Sequence, residues 1–117
     1  MKVRTQGGRK LAEYQGLQWM LADMGVARDA ARALTWRAIE IMLKGERGTL
    51  EASAAKLFAT EALGKVVDCA VQIHGGMGYM REAGVETTYR DARITRIYEG
   101  SSEIQRNIIA AQLLKDQ

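Results

Sequence analysis

The stretch Ile97-Tyr98-Glu99-Gly100-Ser101-Ser102-Glu103-Ile104-Gln105-Arg106 sets a carboxylate, a glycine and two hydroxyls directly before an apolar-periodic run of Ile104, Ile108, Ala111 and Leu114. Ser102 with Gln105 three residues later has the form of a capping box, which predicts a helix beginning at Ser102. Gly100 lets the backbone turn tightly between Glu99 and that cap. The chemistry on offer is a carboxylate held beside a helix N-terminus, whose free N–H groups can receive anionic or carbonyl oxygens. On spacing alone an ordinary helix start accounts for the same residues, so a catalytic part for Glu99 needs support from elsewhere in the chain.

Few other residues offer chemistry. His74 is the only histidine and stands beside Gly75-Gly76-Met77-Gly78, where it reads as a capping or packing residue at a helix end. Cys69, the only cysteine, excludes an intramolecular disulfide and falls in an apolar helical run, as a buried inert thiol would. Glu99 and Glu103 with one histidine and a distant cysteine do not make a metal-ligand set.

These residues need elements to hold them, and composition says which. The chain has 117 residues, 47% apolar and 26% charged, no proline and abundant Ala, Leu, Met, Arg and Glu, which are helix formers. That is one small all-α domain. A net charge of +3, spread along the chain without a recognisable reader module, does not support nucleic-acid binding. No apolar run reaches a membrane-spanning length and no signal-peptide pattern opens the chain, so cytoplasm is the expected location, or the mitochondrial matrix after loss of a presequence.

Met1 to Gly8 reads as a polar loop. From Arg9 to Lys44, the apolar positions Leu11, Leu17, Met20, Leu21, Met24, Ala27, Ala31, Leu34, Ala38, Ile41 and Met42 recur mostly at steps of three and four, predicting one long amphipathic helix. Gly45 to Thr49 breaks it, with Gly45 suited to the left-handed position after a helix and Thr49 to the next cap. A second helix is expected over 50–74, on the stripe Ala54, Leu57, Phe58, Ala62, Val66, Ala70 and Ile73. Met80 to Gly84 reads as an irregular turn, 85–97 as a short helix and 102–115 as the last. The result is an antiparallel helical bundle whose stripes bury one another incompletely, so completion by oligomerisation is expected.

Four stretches, in order, resemble the acyl-CoA dehydrogenases, FAD flavoproteins that oxidise acyl-CoA thioesters. The first three are Arg4 with Gly8 followed by L-A-E-Y-Q-G-L-Q-W-M-L-A-D-M from Leu11; A-A-K-L-F-A-T-E-A-L from Ala54; and Q-I-H-G-G-M-G-Y from Gln72. The signature Y-R-D-A-R-I-T-R-I-Y-E-G-S-S-E-I-Q-R, Tyr89 to Arg106, completes the set. The resemblance is to the C-terminal four-helix-bundle domain alone. It places the family's N-terminal helical domain, middle β-domain and first bundle helix outside this chain, which by itself is expected to show no turnover.

The resemblance implies a homodimer or homotetramer with FAD at the subunit interface and electron-transfer flavoprotein as electron acceptor. Arg4 would contact the cofactor phosphates, Gln72, Gly75 and Gly76 its adenosine and pyrophosphate end from a neighbouring subunit, and Gln15, Ser101 and Glu103 would add cofactor contacts. Glu99 matches the family's base, which takes the α-proton of an acyl-CoA on the way to a trans-2-enoyl-CoA. Tyr98 and Gly100 would border the substrate. Two rival expectations are a non-catalytic helical oligomerisation module, and a subunit completing an active site on a separate chain.

Overall fold

The computed structural model describes residues 1–115. Thr5–Gln6 (β1) and Arg9–Lys10 (β2) pair antiparallel, Thr5 opposite Lys10 and Gln6 opposite Arg9. Gly7 and Gly8 between them have φ of 54° and 77°, the two left-handed residues that a tight hairpin of matching twist requires. The first helix therefore does not start at Arg9. A 3₁₀ turn, Leu11–Glu13, follows the hairpin, Tyr14 stays extended at φ −86°, ψ 116°, and α1 runs Gln15–Leu43. The Tyr14 hydroxyl donates to the Gln6 carbonyl at 2.6 Å and Leu11 N–H to the Arg4 carbonyl at 3.0 Å, so the hairpin is pinned to the start of α1.

Lys44 ends α1, and Gly45, at φ 81°, takes the left-handed position expected of it. Gly48, buried and at φ 59°, precedes α2, Thr49–His74, so Thr49 is the first helical residue rather than the cap. The short connection lays α2 antiparallel to α1. A four-residue helix, α3 (Gly76–Tyr79), forms within the glycine run that ends α2, and a 3₁₀ turn, Arg81–Ala83, occupies what reads in sequence as an irregular turn. The next helix, α4, is Val85–Ile94 and stops short of Ile97: Thr95 turns its hydroxyl onto the Ala92 carbonyl at 2.7 Å, and the N–H groups of Ile97 and Tyr98 both reach the Ile94 carbonyl. The last helix, α5, is Ser102–Leu113.

The long α2 is central, packing against α1, α3, α4 and α5. The molecule extends 58 × 24 × 24 Å. Its buried apolar residues are Leu11, Ala38, Ala55, Val67, Ile73 and Ala92, mostly small side chains that allow close helix approach. Large ones stay outside. On α1, Trp19 is 62% exposed, Val26 69%, Trp36 57% and Leu43 82%, an apolar face that no other described element of the chain covers. No described helix is long and apolar enough to cross a membrane.

Candidate functional site

Glu99 is the one non-glycine residue among those described with a positive φ, 53°, and Gly100 beside it has φ 85°. For a glutamate this is a costly backbone state, which persists only where the surroundings impose it. The surroundings here are a closed turn. Ser102 N–H donates to the Arg96 carbonyl at 3.0 Å, and the buried Gln105 amide donates to the Glu99 and Gly100 carbonyls, each at 3.2 Å. A methyl on Gly100 would lie 2.6 Å from that amide nitrogen and displace it, and at φ 85° any side chain there strains the backbone.

The cap of α5 is not the one the spacing predicts. Ser101, at φ −59° and ψ 165°, is the N-cap, its hydroxyl facing Ile104 N–H at 3.5 Å. Ser102 lies inside the first turn, where its hydroxyl is free to leave the helix and donate to Glu61 of α2 at 2.7 Å. Gln105, released from the box, holds the Glu99 turn instead. Glu103 is exposed, and its own backbone N–H and the Ser101 hydroxyl, helped by Arg106 and Arg93, hold its carboxyl below the ordinary range.

Helix α2 supplies the other half of the support. Lys56 Nζ donates to the Gly100 carbonyl at 2.6 Å. Glu61, besides accepting from Ser102, has the Arg96 guanidinium at 3.5 Å and that of Arg106 at 3.8 Å. The Ser102 bond first, then the two arginines, lower the Glu61 pKa against the opposing effect of burial. A carboxyl lowered by folding contributes stability that is complete above its unfolded value, roughly 4.3, and is lost as pH falls through its folded value. Thermal stability is thus expected to fall on going from about pH 5 to about pH 3, and less steeply in Glu61→Gln. Identical slopes in the two proteins would remove this cluster as a source of acid sensitivity.

Outward from the turn, Ile97 is 53% and Tyr98 52% exposed, and Glu99 is exposed between them and Gly100. The Glu99 carboxylate forms no hydrogen bond or ion pair with any described residue. Chemically this is an uncommitted base with apolar neighbours, presented on a rigid turn.

A second group of sequence-predicted residues meets at the other end of α2. The Arg4 guanidinium donates to the His74 carbonyl at 2.8 Å and lies 3.7 Å from where a Gly75 methyl would be. Gly75 has φ 60° and ψ −147°, open in practice to glycine alone. Gly76 has nothing within 4 Å of a built methyl, so its backbone is open to approach. Gln72 is exposed one turn back on α2, and Gln15 opens α1 exposed in a groove with Gln6, Tyr14 and Met20. His74 turns its ring Nδ1 onto the Ala70 carbonyl at 2.7 Å, a local helix-end contact.

The two groups do not meet within one chain. Lys56 marks one and His74 the other, and the helix between them spans about 27 Å. Lys56, Glu61 and Arg96 go unnoticed in sequence because nothing local marks a polar residue whose partner lies some 40 positions away. Lys56 and Glu61 stand inside the Ala54–Leu63 stretch, but only folding shows what they hold.

A family model described as "Acyl-CoA dehydrogenase, C-terminal domain" matches residues 1–114. The mitochondrial short-chain specific acyl-CoA dehydrogenase of Bos taurus is 50% identical over 112 residues, 96% of this chain and 27% of the relative. The caffeyl-CoA reductase-Etf complex subunit CarC of Acetobacterium woodii is 43% identical over 114 residues, 97% of this chain and 30% of the relative. Among solved structures, butyryl-CoA dehydrogenase from Megasphaera elsdenii superposes with a TM-score of 0.94 at 40% identity, over 97% of this chain and 30% of that one. The chain thus spans less than a third of the length of the relatives it matches.

Proposed function

This chain belongs to the acyl-CoA dehydrogenase family as its C-terminal helical domain, and from that premise we propose that it carries the α-proton base and the phosphate-side cofactor contacts of an FAD-dependent acyl-CoA dehydrogenase. The observation that carries this is Glu99: a carboxylate unpaired among the described residues, on a backbone held at φ 53° by bonds from the Gln105 amide to its own carbonyl and to that of Gly100. A residue with only a capping role has no need of that strain.

The residues present fit a dinucleotide. Arg4 is an exposed guanidinium with no carboxylate partner among the described residues, set against the glycine turn. A guanidinium forks onto phosphate oxygens, and a backbone without side chains lets a diphosphate come close. Arg4, Gly75, Gly76, Gln72 and Gln15 would hold the phosphate and adenosine side, and Ser101 and Glu103 would contact the cofactor near the base. When bound, the flavin supplies the two-electron acceptor for the hydrogen leaving the β-carbon.

The rest of the chemistry falls to this chain. A Glu99 carboxylate oxygen takes the α-proton of the acyl thioester, the electrons of that C–H bond become the new α,β double bond, and a trans-2-enoyl thioester results. The thioester carbonyl must be polarised for so weak an acid to react, and the Glu99 N–H is the donor this chain contributes. Tyr98 and Gly100 border the acyl chain and help exclude water from the reacting atoms.

Both groups cannot serve one flavin within one chain, because about 27 Å of helix separates them and the short ribityl chain joining a flavin ring to its phosphates cannot bridge that. A second copy, supplying Arg4 and the glycine turn to the flavin that faces the first copy's Glu99, satisfies the geometry. The bare α1 face with Trp19 and Trp36 supports a homodimer or homotetramer, and the similarity to an Etf-complex subunit supports electron-transfer flavoprotein as acceptor. In the assembled enzyme a short-chain acyl-CoA is expected to bleach the flavin anaerobically, and Arg4→Gln to weaken flavin retention about tenfold to a hundredfold. Release of bound flavin, followed by its fluorescence, measures the second effect. A protein that takes up no flavin, or keeps it oxidised under substrate, overturns the proposal.

A further inference from the structure

We infer that Lys56 and Glu61 of α2 are positioning residues for the base, clamping the Arg96–Ser102 turn so that Glu99 keeps its left-handed conformation. The inference rests on Glu99 acting as the α-proton base. A glutamate in this backbone state, at φ 53°, is sterically disfavoured, and it relaxes unless held.

The bonds within 96–105 do not hold it against the bundle. Ser102 N–H to the Arg96 carbonyl, and the Gln105 amide to the Glu99 and Gly100 carbonyls, close the turn on itself. They would move with it as a unit. The side-chain bonds that tie the turn to another element are those from Lys56 to the Gly100 carbonyl at 2.6 Å and from Ser102 to Glu61 at 2.7 Å, with Arg96 on the same carboxylate at 3.5 Å.

The two anchors lie five positions apart on one rigid helix, about 7.5 Å of rise. They grip the turn at Gly100 and at Ser102, immediately after Glu99. One anchor would let the turn pivot, whereas two fix its orientation. Lys56 commits a part-buried ammonium to a backbone carbonyl, a charge-assisted bond stronger than a neutral one, and pairs with no carboxylate among the described residues. Lys56 bonds the Gly100 carbonyl and Glu61 the Ser102 hydroxyl, and neither bonds the Glu99 side chain, so each acts through the turn that carries it.

The test is made in the flavin-loaded holoenzyme carrying this domain. Lys56→Met is expected to slow flavin bleaching at saturating acyl-CoA about tenfold or more, while flavin content and the substrate concentration for half-maximal rate hardly change. Lys56→Arg, which keeps a cationic donor, should recover most of the rate. Placed on a Glu99→Gln background, Lys56→Met should add nothing, because the group it positions is gone. If Lys56→Met and Glu61→Met, which removes the acceptor of the Ser102 bond, both bleach at the parental rate while Glu99→Gln does not, the clamp is overturned and the base remains. If Glu99→Gln bleaches at the parental rate, the base reading falls and the clamp with it. Should Lys56→Met fail to assemble, Glu61→Met decides by the same two comparisons.

Discussion

Glu99→Gln is expected to leave fold, assembly and flavin uptake intact and to slow substrate-driven bleaching by roughly 10²- to 10⁴-fold, the range that a general base contributes. The amide keeps the shape of the carboxylate and loses its ability to accept a proton. The turn should tolerate the change, since its bonds run through the Glu99 and Gly100 carbonyls and not through the Glu99 side chain. A variant that lost flavin or unfolded would show that the carboxylate has a structural duty. One that bleached at the parental rate would move the base to another carboxylate. Stopped-flow absorbance at the flavin band distinguishes the three outcomes.

Gly78→Ala should be the most damaging small substitution for stability. Its methyl would lie 2.7 Å from the Val71 carbonyl oxygen, 3.1 Å from Val71 Cα and 2.8 Å from His74 Cβ. These are atoms of the α2 backbone or fixed to it, so relief requires moving α3 off the end of α2. Overpacking of this kind costs about 1–3 kcal/mol. Gly76→Ala, two residues earlier, meets nothing within 4 Å and is the internal control, with a stability change of about 0.5 kcal/mol or less. Thermal unfolding of the intact protein compares the two, and equal midpoints would mean that α3 is not pressed against α2 as described. Arg4 bonds the His74 carbonyl in the same region, so Gly78→Ala is also expected to weaken flavin retention.

Much of the helical framework is legible in the residues. Apolar steps of three and four mark α1 and α2, and the glycines at 45, 48 and 75 mark where they break, because a residue without Cβ enters a positive φ at little cost. The hairpin at residues 5–10 is legible too, in the Gly7-Gly8 pair, but the Leu11 stripe draws the helix start back to Arg9 when local turn chemistry is outweighed by periodicity. The early stop of α4 is harder to see. It depends on Thr95 bonding back to Ala92 and on two N–H groups sharing one carbonyl, and nothing in the composition of 94–98 distinguishes that from continued helix. At α5 the helix start is legible but the capping box does not form: Ser101 is the cap, the Ser102 hydroxyl bonds Glu61, and Gln105 bonds the Glu99 and Gly100 carbonyls.

What the sequence alone determines is identity by residue type and order: an all-α chain, a carboxylate before a glycine at a helix mouth, an arginine and a glycine cluster at the matching places, and through these the family. Those features are local, encoded by propensity, turn chemistry and short-range spacing. The tertiary structure decided how they are used. It placed Glu99 in a left-handed backbone, gave Lys56 and Glu61 to the turn that holds it, and set Arg4 on the end of α2, about 27 Å of helix from that turn. Each of these depends on which faces of α2 receive α1, α4 and α5, and bonds between residues more than 40 positions apart exist only after that packing has formed.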